Sequence, residues 1–133
     1  MRMVLPILAA AALASCSAPA PLGPQPTETV GVQLNSDQIR SEIVGNTGSG
    51  TRTSTRATIS LYVAPDGTLL EQLPTRTETG KWRITDDGFF CQQFPIDLDG
   101  REVCFTVHKA GITVEFHSPQ VLERLVFQAG KKI

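Results

Sequence analysis

The chain has 133 residues, the size of one domain, and a formal net charge of −1 at pH 7 from 12 Lys and Arg against 13 Asp and Glu. Nearly balanced charge and the lack of a basic stripe argue against a nucleic-acid partner. The three cysteines leave one over if the other two form a disulfide.

The first residues have the layout of an export signal. Arg2 gives a positive start, residues 4–13 form a ten-residue apolar segment broken by Pro6, and small residues follow. Ten residues are too few to cross a bilayer core, which needs about twenty. We therefore predict that residues 1–15 are a signal peptide and take no part in the fold.

The residues Leu13-Ala14-Ser15-Cys16 resemble the lipobox of bacterial lipoprotein signals. In that family the cysteine receives a diacylglycerol, and the signal is cut on its N-terminal side. The resemblance implies lipidation at Cys16 and a protein of the cell envelope, anchored in the membrane and facing the periplasm. Ser17 resembles the pattern of outer-membrane sorting. The alternative is a secretory signal cut after Ala20, since Ala18-Pro19-Ala20 fits the rule for that cleavage.

Residues 16–29 are rich in proline and nearly free of bulky apolar side chains. Such a segment cannot repay its ordering entropy by burial, and proline at this density favours an extended, semi-rigid chain. We predict a tether that spans roughly 40 Å. The alternative is a surface loop packed on the domain.

Residues 30–133 carry the pattern of a β-domain that follows one short helix. Asn35 with Gln38 forms a capping pair, and Gly45 is placed to end the helix in a left-handed turn. The glycine- and threonine-rich stretch that follows, GNTGSGTRTSTR, has no aliphatic residue and is predicted as a weak edge strand. It lacks the order of strand, Gly-Lys-Ser/Thr and helix that a phosphate loop requires.

Alternating apolar and polar residues predict the other strands, which lie around 57–63, 82–84, 103–107 and 112–116. Residues 121–127 fit both a strand and a helical turn, and we favour a strand from about Leu125. No helix-length segment intervenes, which excludes parallel crossovers. The pattern predicts a mainly β fold, a small antiparallel β-barrel or half-barrel of about seven strands. The turn glycines placed for positive φ are Gly67, Gly88, Gly100 and Gly111.

Cys91 and Cys104 flank the turn at Leu98-Asp99-Gly100, so a hairpin there would place them on neighbouring strands within bridging distance. We predict a structural disulfide, since a redox site would favour a closer Cys-x-x-Cys pair. Asp97-Leu98-Asp99-Gly100 with Glu102 resembles a fragment of a calcium loop but lacks the further ligands. A hairpin centred near Ala110 would leave His117 remote from His108, so the sequence predicts no metal site and no cofactor.

No catalytic pattern stands out in the sequence. Neither histidine has a serine in a nucleophile elbow, and Asp86-Asp87 is a turn whose backbone would splay the two carboxylates. The aromatic residues could line a ligand cup inside an open barrel, although a core role is favoured for Trp82. Phe89 and Phe90 point to opposite faces of a strand, so one of them is a candidate for an exposed contact surface.

GNT at 45–47, PDGT, GKWRITDDGFFC at 80–91 and the later Cys104 together resemble small alphaproteobacterial envelope domains of the DUF995-like type. The resemblance covers about residues 45–116 and implies a fold and a compartment, not an activity. We therefore predict a non-enzymatic binding or interaction module of the envelope, whose partner is a protein or a small ligand. The alternative is an inhibitor of a lytic enzyme such as lysozyme or a protease, or a hydrolase whose site forms only in the folded chain.

Overall fold

A computed structural model of the chain describes residues 31–133. The predicted signal peptide 1–15, the lipidation residue Cys16 and the tether 16–29 lie outside the described residues. Within the described range, no helix has the length and apolar character needed to cross a membrane.

The described residues form one helix and nine strands. The helix α1 is Ser36–Ile43, and a short 3-10 segment spans Asp97–Gly100. The strands are β1 Val32–Gln33, β2 Asn46–Arg52, β3 Ala57–Val63, β4 Thr68–Gln72, β5 Thr77–Ile84, β6 Phe89–Gln93, β7 Val103–Ala110, β8 Thr113–His117 and β9 Leu122–Ala129.

Strands β2 to β9 form a closed antiparallel barrel. Each strand pairs with the next from β2 to β9, and the barrel closes where β9 pairs with β2. The short β1 pairs with the far end of β7, where Val32 lies opposite Lys109. The predicted small antiparallel barrel is confirmed. The described strands exceed the expected seven because β1 has only two residues and the buried Glu71 hides the alternation of β4.

Helix α1 packs across one end of the barrel, which we call the helix end. The predicted capping pair is present, since Asn35 accepts from the Gln38 backbone N–H and the Gln38 side chain accepts from Asn35 N–H. Ile39 and Ile43 are fully buried and join the apolar core of the barrel. Ser36 donates to the carbonyl of Thr85, which ties the helix to the turn between β5 and β6.

The opposite end, which we call the mouth, holds the connections β2–β3, β4–β5, β6–β7 and β8–β9. An antiparallel meander alternates its turns between two ends, so these four connections lie together. At the helix end the turn glycines Gly67, Gly88 and Gly111 have positive φ, as predicted. The connection between β6 and β7 is longer than the predicted tight hairpin and contains the 3-10 segment.

The predicted weak edge strand is instead β2, a fully paired barrel strand between β3 and β9. Its glycines allow close packing: a Cβ on Gly50 would overlap the carbonyl oxygen of Arg124, and one on Gly48 would overlap the ring of Phe127. Strand β9 starts at Leu122, earlier than the predicted Leu125, because its pairing with β2 runs back to Glu123.

Cys91 and Cys104 are direct partners on β6 and β7 and are joined by a disulfide, which confirms the predicted pair. Their Cα atoms lie 3.9 Å apart. The bond ties together the two strands that lead into and out of the longest connection at the mouth. It thereby limits how far that connection can move from the barrel wall.

Candidate functional site

The interior of the barrel changes from apolar to charged toward the mouth. The central core is built from Phe and aliphatic side chains, whereas the mouth half buries charged residues from strands and connections far apart in the chain. Buried charges are costly unless they are paired, so this half of the barrel differs from a purely apolar core and needs ion pairs. We call this group, together with the exposed Arg76 that pairs with it, the mouth cluster; it comprises Arg52, Glu71, Arg76, Glu78, Asp97 and Glu123.

Arg52 lies at the centre of the mouth cluster. It is the last residue of β2, and its guanidinium donates to both carboxylate oxygens of Asp97, at 3.0 and 2.8 Å. It also donates to Glu71 Oε2 at 3.3 Å and lies 3.9 Å from Glu123 Oε2. One guanidinium is therefore shared by three carboxyl groups, all of them buried.

A second arginine fixes the outer part of the mouth cluster. Arg76 Nε donates to Glu78 Oε2 at 3.0 Å, and the Glu78 carboxylate accepts the backbone N–H groups of Ile96 and Asp97 at 2.7 and 2.9 Å. The β6–β7 connection is thus held by two backbone N–H groups that donate to Glu78 and by the Arg52 guanidinium, which donates to Asp97. These bonds fix its position against the barrel wall.

The carboxyl groups of the cluster have strongly different proton affinities. Burial, with a hydrogen bond to Asp97, raises the pKa of Glu71 to about 9. Burial raises the pKa of Glu123 to about 7, and neither of its oxygens has a hydrogen-bond partner among the described residues. Burial also acts on Asp97, but the hydrogen bonds from Arg52 and Glu71 hold the pKa of its carboxyl below the ordinary value. These shifts favour a neutral Glu71 beside an ionised Asp97.

The connection between β6 and β7 presents an exposed tip, residues 95–100, which we call the mouth loop. Ile96 is 64% exposed although its neighbour Asp97 is buried. Leu98 and Asp99 both have left-handed backbone conformations, with φ of 56° and 59°. Two successive non-glycine residues in this region are strained, and such strain persists only where the surroundings hold it. Beside the loop lies an open cavity of about 430 Å³ lined by Arg52, Ser54, Thr55, Arg76, Asp99 and Gln120, among others.

The other residues singled out in the sequence lie apart from the mouth cluster. Asp86 and Asp87 are in the exposed turn at the helix end, where Ser36 donates to the Asp86 carbonyl. Asp97 and Asp99 do not share a ligand position, because Asp97 is buried on Arg52 and Asp99 is exposed.

Phe90, Phe94, Phe105 and Phe116 are buried in the apolar core of the barrel, whereas Tyr62 is only partly buried. Phe90 is fully buried and stacks on Trp82, whose indole N–H donates to the carbonyl of Ala64. Phe89, on the opposite face of β6, is half-buried. The core role favoured for Trp82 agrees with this packing.

The sequence did not indicate the mouth cluster, although a signal was available. Glu123 precedes Leu125 and Phe127 in strict alternation, and Glu71 follows Leu69 in the same way. A charged residue in the inward phase of a strand is the mark of a buried ion. The pattern gives no partner, since Arg52 and Asp97 are 45 residues apart.

The expectation that His117 lies remote from His108 is wrong. The β7–β8 turn contains only Gly111 and Ile112, so His108 lies opposite Glu115 and not near Ile112. The two imidazole rings are consequently diagonal neighbours on the outer face, with centroids 4.6 Å apart. Among residues 31–133, the group whose possible metal-binding atoms all lie within 4.8 Å of one another is Cys91, Glu102 and Cys104, but its sulfurs are bonded to each other. The ligand atoms of His108, Glu115 and His117 are not all this close as the side chains now stand.

Comparison with known proteins gives no match to this chain, whether with family models, curated proteins or solved structures.

Proposed function

We propose that the protein is a lipid-anchored envelope protein and that its barrel is a non-enzymatic binding module that contacts its partner through the mouth loop. The observation that carries the proposal is the contrast between Ile96 and Asp97. The isoleucine is exposed to solvent, and the aspartate beside it is fixed by Arg52 and by the backbone bond to Glu78. A fixed loop with an exposed apolar residue loses little entropy when it binds.

The two ends of the barrel suit an anchored binding module. The described chain enters at β1, which pairs with the last residues of β7, whereas the mouth loop precedes the first residue of β7. Strand β7 has eight residues and therefore separates the two ends by about 25 Å. An anchor at Cys16 would join the barrel at the helix end, so the mouth loop lies at the end of the barrel away from this attachment.

A pair of exposed isoleucines tests the binding surface. Ile96 in the mouth loop is 64% exposed, and Ile112 in the β7–β8 turn at the helix end is 77% exposed. We expect a photo-crosslinking amino acid that replaces Ile96 in the full-length chain to form discrete adducts in intact cells. The same replacement at Ile112 serves as the matched control and should not give these adducts.

The outcome separates the proposal from its alternatives. Identical adducts from both positions, or none from position 96, would contradict a binding role for the mouth loop. The Cys16→Ser variant tests the anchor in the same cells, since it should move the chain from the membrane fraction to the soluble fraction.

A second function, inhibition of a lytic enzyme such as lysozyme or a protease, is favoured by the backbone of the same loop. Leu98 and Asp99 hold left-handed conformations beside an exposed apolar residue, and the loop projects from a disulfide-tied pair of strands. A loop held in this way can enter a cleft without refolding.

The purified protein tests this second function directly. We expect inhibition by the parent chain to be lost in Ile96→Asp and kept in Ile112→Asp, with unchanged melting temperatures in both variants. No inhibition by the parent chain, or equal loss in the two variants, would exclude the mouth loop as an inhibitory element.

A further inference from the structure

We propose that His108, Glu115 and His117 form a site for Zn²⁺ on the outer face of β7 and β8, where Glu115 is buried and the two histidines are partly buried. The site lies outside the mouth and does not depend on the proposed function. Its basis is the register of the two strands, which brings both histidines of the 133-residue chain to one place.

The three side chains occupy adjacent positions on one face of the sheet. His108 lies directly opposite Glu115, and His117 lies two residues farther along β8. The ring centroids of the histidines are 4.6 Å apart, and His117 Nε2 is 2.7 Å from Glu115 Oε2. Because the strands belong to a closed barrel, the backbone positions of all three residues are fixed.

The donor set matches the preferences of zinc. Two imidazoles and one carboxylate, with a fourth position left for water, form a three-ligand zinc site. Arg124 Nε lies 3.4 Å from Glu115 Oε1, so it orients the carboxylate and leaves Oε2 directed at His117. The metal would take the place of the hydrogen bond between His117 and Glu115.

One side chain must turn to complete the site. His108 now directs Nδ1 at the carbonyl of Gly31, at 3.2 Å, and Nε2 at Thr106 Oγ1, at 3.0 Å. Binding zinc costs one of these contacts. The carbonyl of Gly31 and the hydroxyl of Thr106 are both uncharged, and both contacts are only partly buried. A zinc–imidazole bond is stronger than either hydrogen bond.

The chain offers a clean spectroscopic test, since it has only two histidines. We expect Zn²⁺ added to the full-length, disulfide-bonded chain to shift the imidazole NMR signals of both histidines together and to saturate at one ion per chain. Calorimetry should show binding that weakens as the pH is lowered, because protons compete for the ligands.

Single variants then assign the ligands. His108→Gln, His117→Gln and Glu115→Gln should each weaken binding by about tenfold or more, which is the scale of changes at metal sites. Glu102→Gln is the control and should bind as the parent chain does, because Glu102 belongs to the separate group beside the disulfide.

Three results would overturn the site. They are the absence of any shift at millimolar zinc, a shift confined to one histidine, and equal affinity in the parent chain and the two histidine variants. Melting curves recorded without zinc exclude misfolding as the cause of lost binding, and a variant that melts early is replaced by the corresponding asparagine variant.

Discussion

We expect the substitution Arg52→Met to lower the free energy of unfolding by about 3–5 kcal/mol, the usual cost of removing one partner from a buried ionic group. Arg52 is the cation shared by Glu71, Asp97 and Glu123, and its side chain is 5% exposed. Methionine retains most of the aliphatic length, so the loss reports mainly on charge. Urea unfolding at pH 7 measures the effect.

An exposed arginine supplies the matched control. Arg83 makes a two-pronged contact with Glu102 at 2.9 and 2.6 Å, but both side chains are open to solvent. Exposed pairs contribute little because water screens them, so Arg83→Met should leave the stability close to that of the parent chain. Equal losses in the two variants would show that burial of Arg52 does not matter.

Neutralising the carboxyl groups should partly reverse the loss. In the Arg52→Met background, Glu123→Gln removes a buried group that can no longer pair, so the double variant should be more stable than Arg52→Met alone. Strict additivity of the two substitutions would contradict direct coupling between Arg52 and Glu123. Arg52→Met should also loosen the mouth loop, which raises the hydrogen-exchange rate of the Asp97 amide.

Local patterns in the sequence predicted the elements that depend on local physics. The Asn35–Gln38 cap and the left-handed glycines at the turns arise from contacts between residues near in sequence, and all are present. Alternation also predicted the core of β3 and β7, since each places its apolar residues inward.

The elements that close the barrel could not be predicted in the same way. Strand β2 has no aliphatic residue to show alternation, and its place is fixed by the fit of Gly48 and Gly50 against β9. That fit is a property of two segments more than 70 residues apart, as the pairing of Gly48 with Phe127 shows. Closure is a long-range outcome that neither strand reveals alone.

The mouth cluster escaped prediction for a related reason. A single glutamate at an inward-facing position interrupts the apolar alternation of a strand. The sequence does not show the distant residue that pairs with it in the fold. The sequence placed Asp97 in a fragment of a calcium loop, whereas in the structure its carboxylate accepts hydrogen bonds from Arg52.

The proximity of His108 and His117 was not predicted, because the β7–β8 hairpin was expected to centre near Ala110. The observed two-residue turn instead places His108 opposite Glu115.

The raised pKa values of Glu71 and Glu123 predict that the protein is most stable under mildly acidic conditions. In the unfolded chain both groups lose their protons near the ordinary value of 4.5, whereas in the folded chain Glu123 keeps its proton to about 7 and Glu71 to about 9. The folded state therefore binds more protons between these limits. Stability must fall as the pH rises, by up to about 1.4 kcal/mol per pH unit for each group.

The lowered pKa of Asp97 acts in the opposite direction at the acidic end. Its carboxylate is held ionised by Arg52, so the stability that it contributes is lost as the pH falls through its folded pKa, below the ordinary value of 3.8. The two effects together place the maximum of stability on the acidic side of neutral pH.

Substitution with glutamine separates this effect from other titrations. The carboxamide of Glu71→Gln resembles the protonated carboxyl group, so the variant should fold and should gain stability at pH 8 relative to the parent chain. Urea midpoints measured from pH 5 to pH 8 should fall for the parent chain and become nearly level in Glu71→Gln/Glu123→Gln. The control Glu42→Gln, at a half-exposed ion pair with Lys109, should keep the parent slope. A parent chain whose stability stays constant or rises across this range would mean that the two buried carboxyl groups ionise freely, and that Arg52 alone compensates the charge of the mouth cluster.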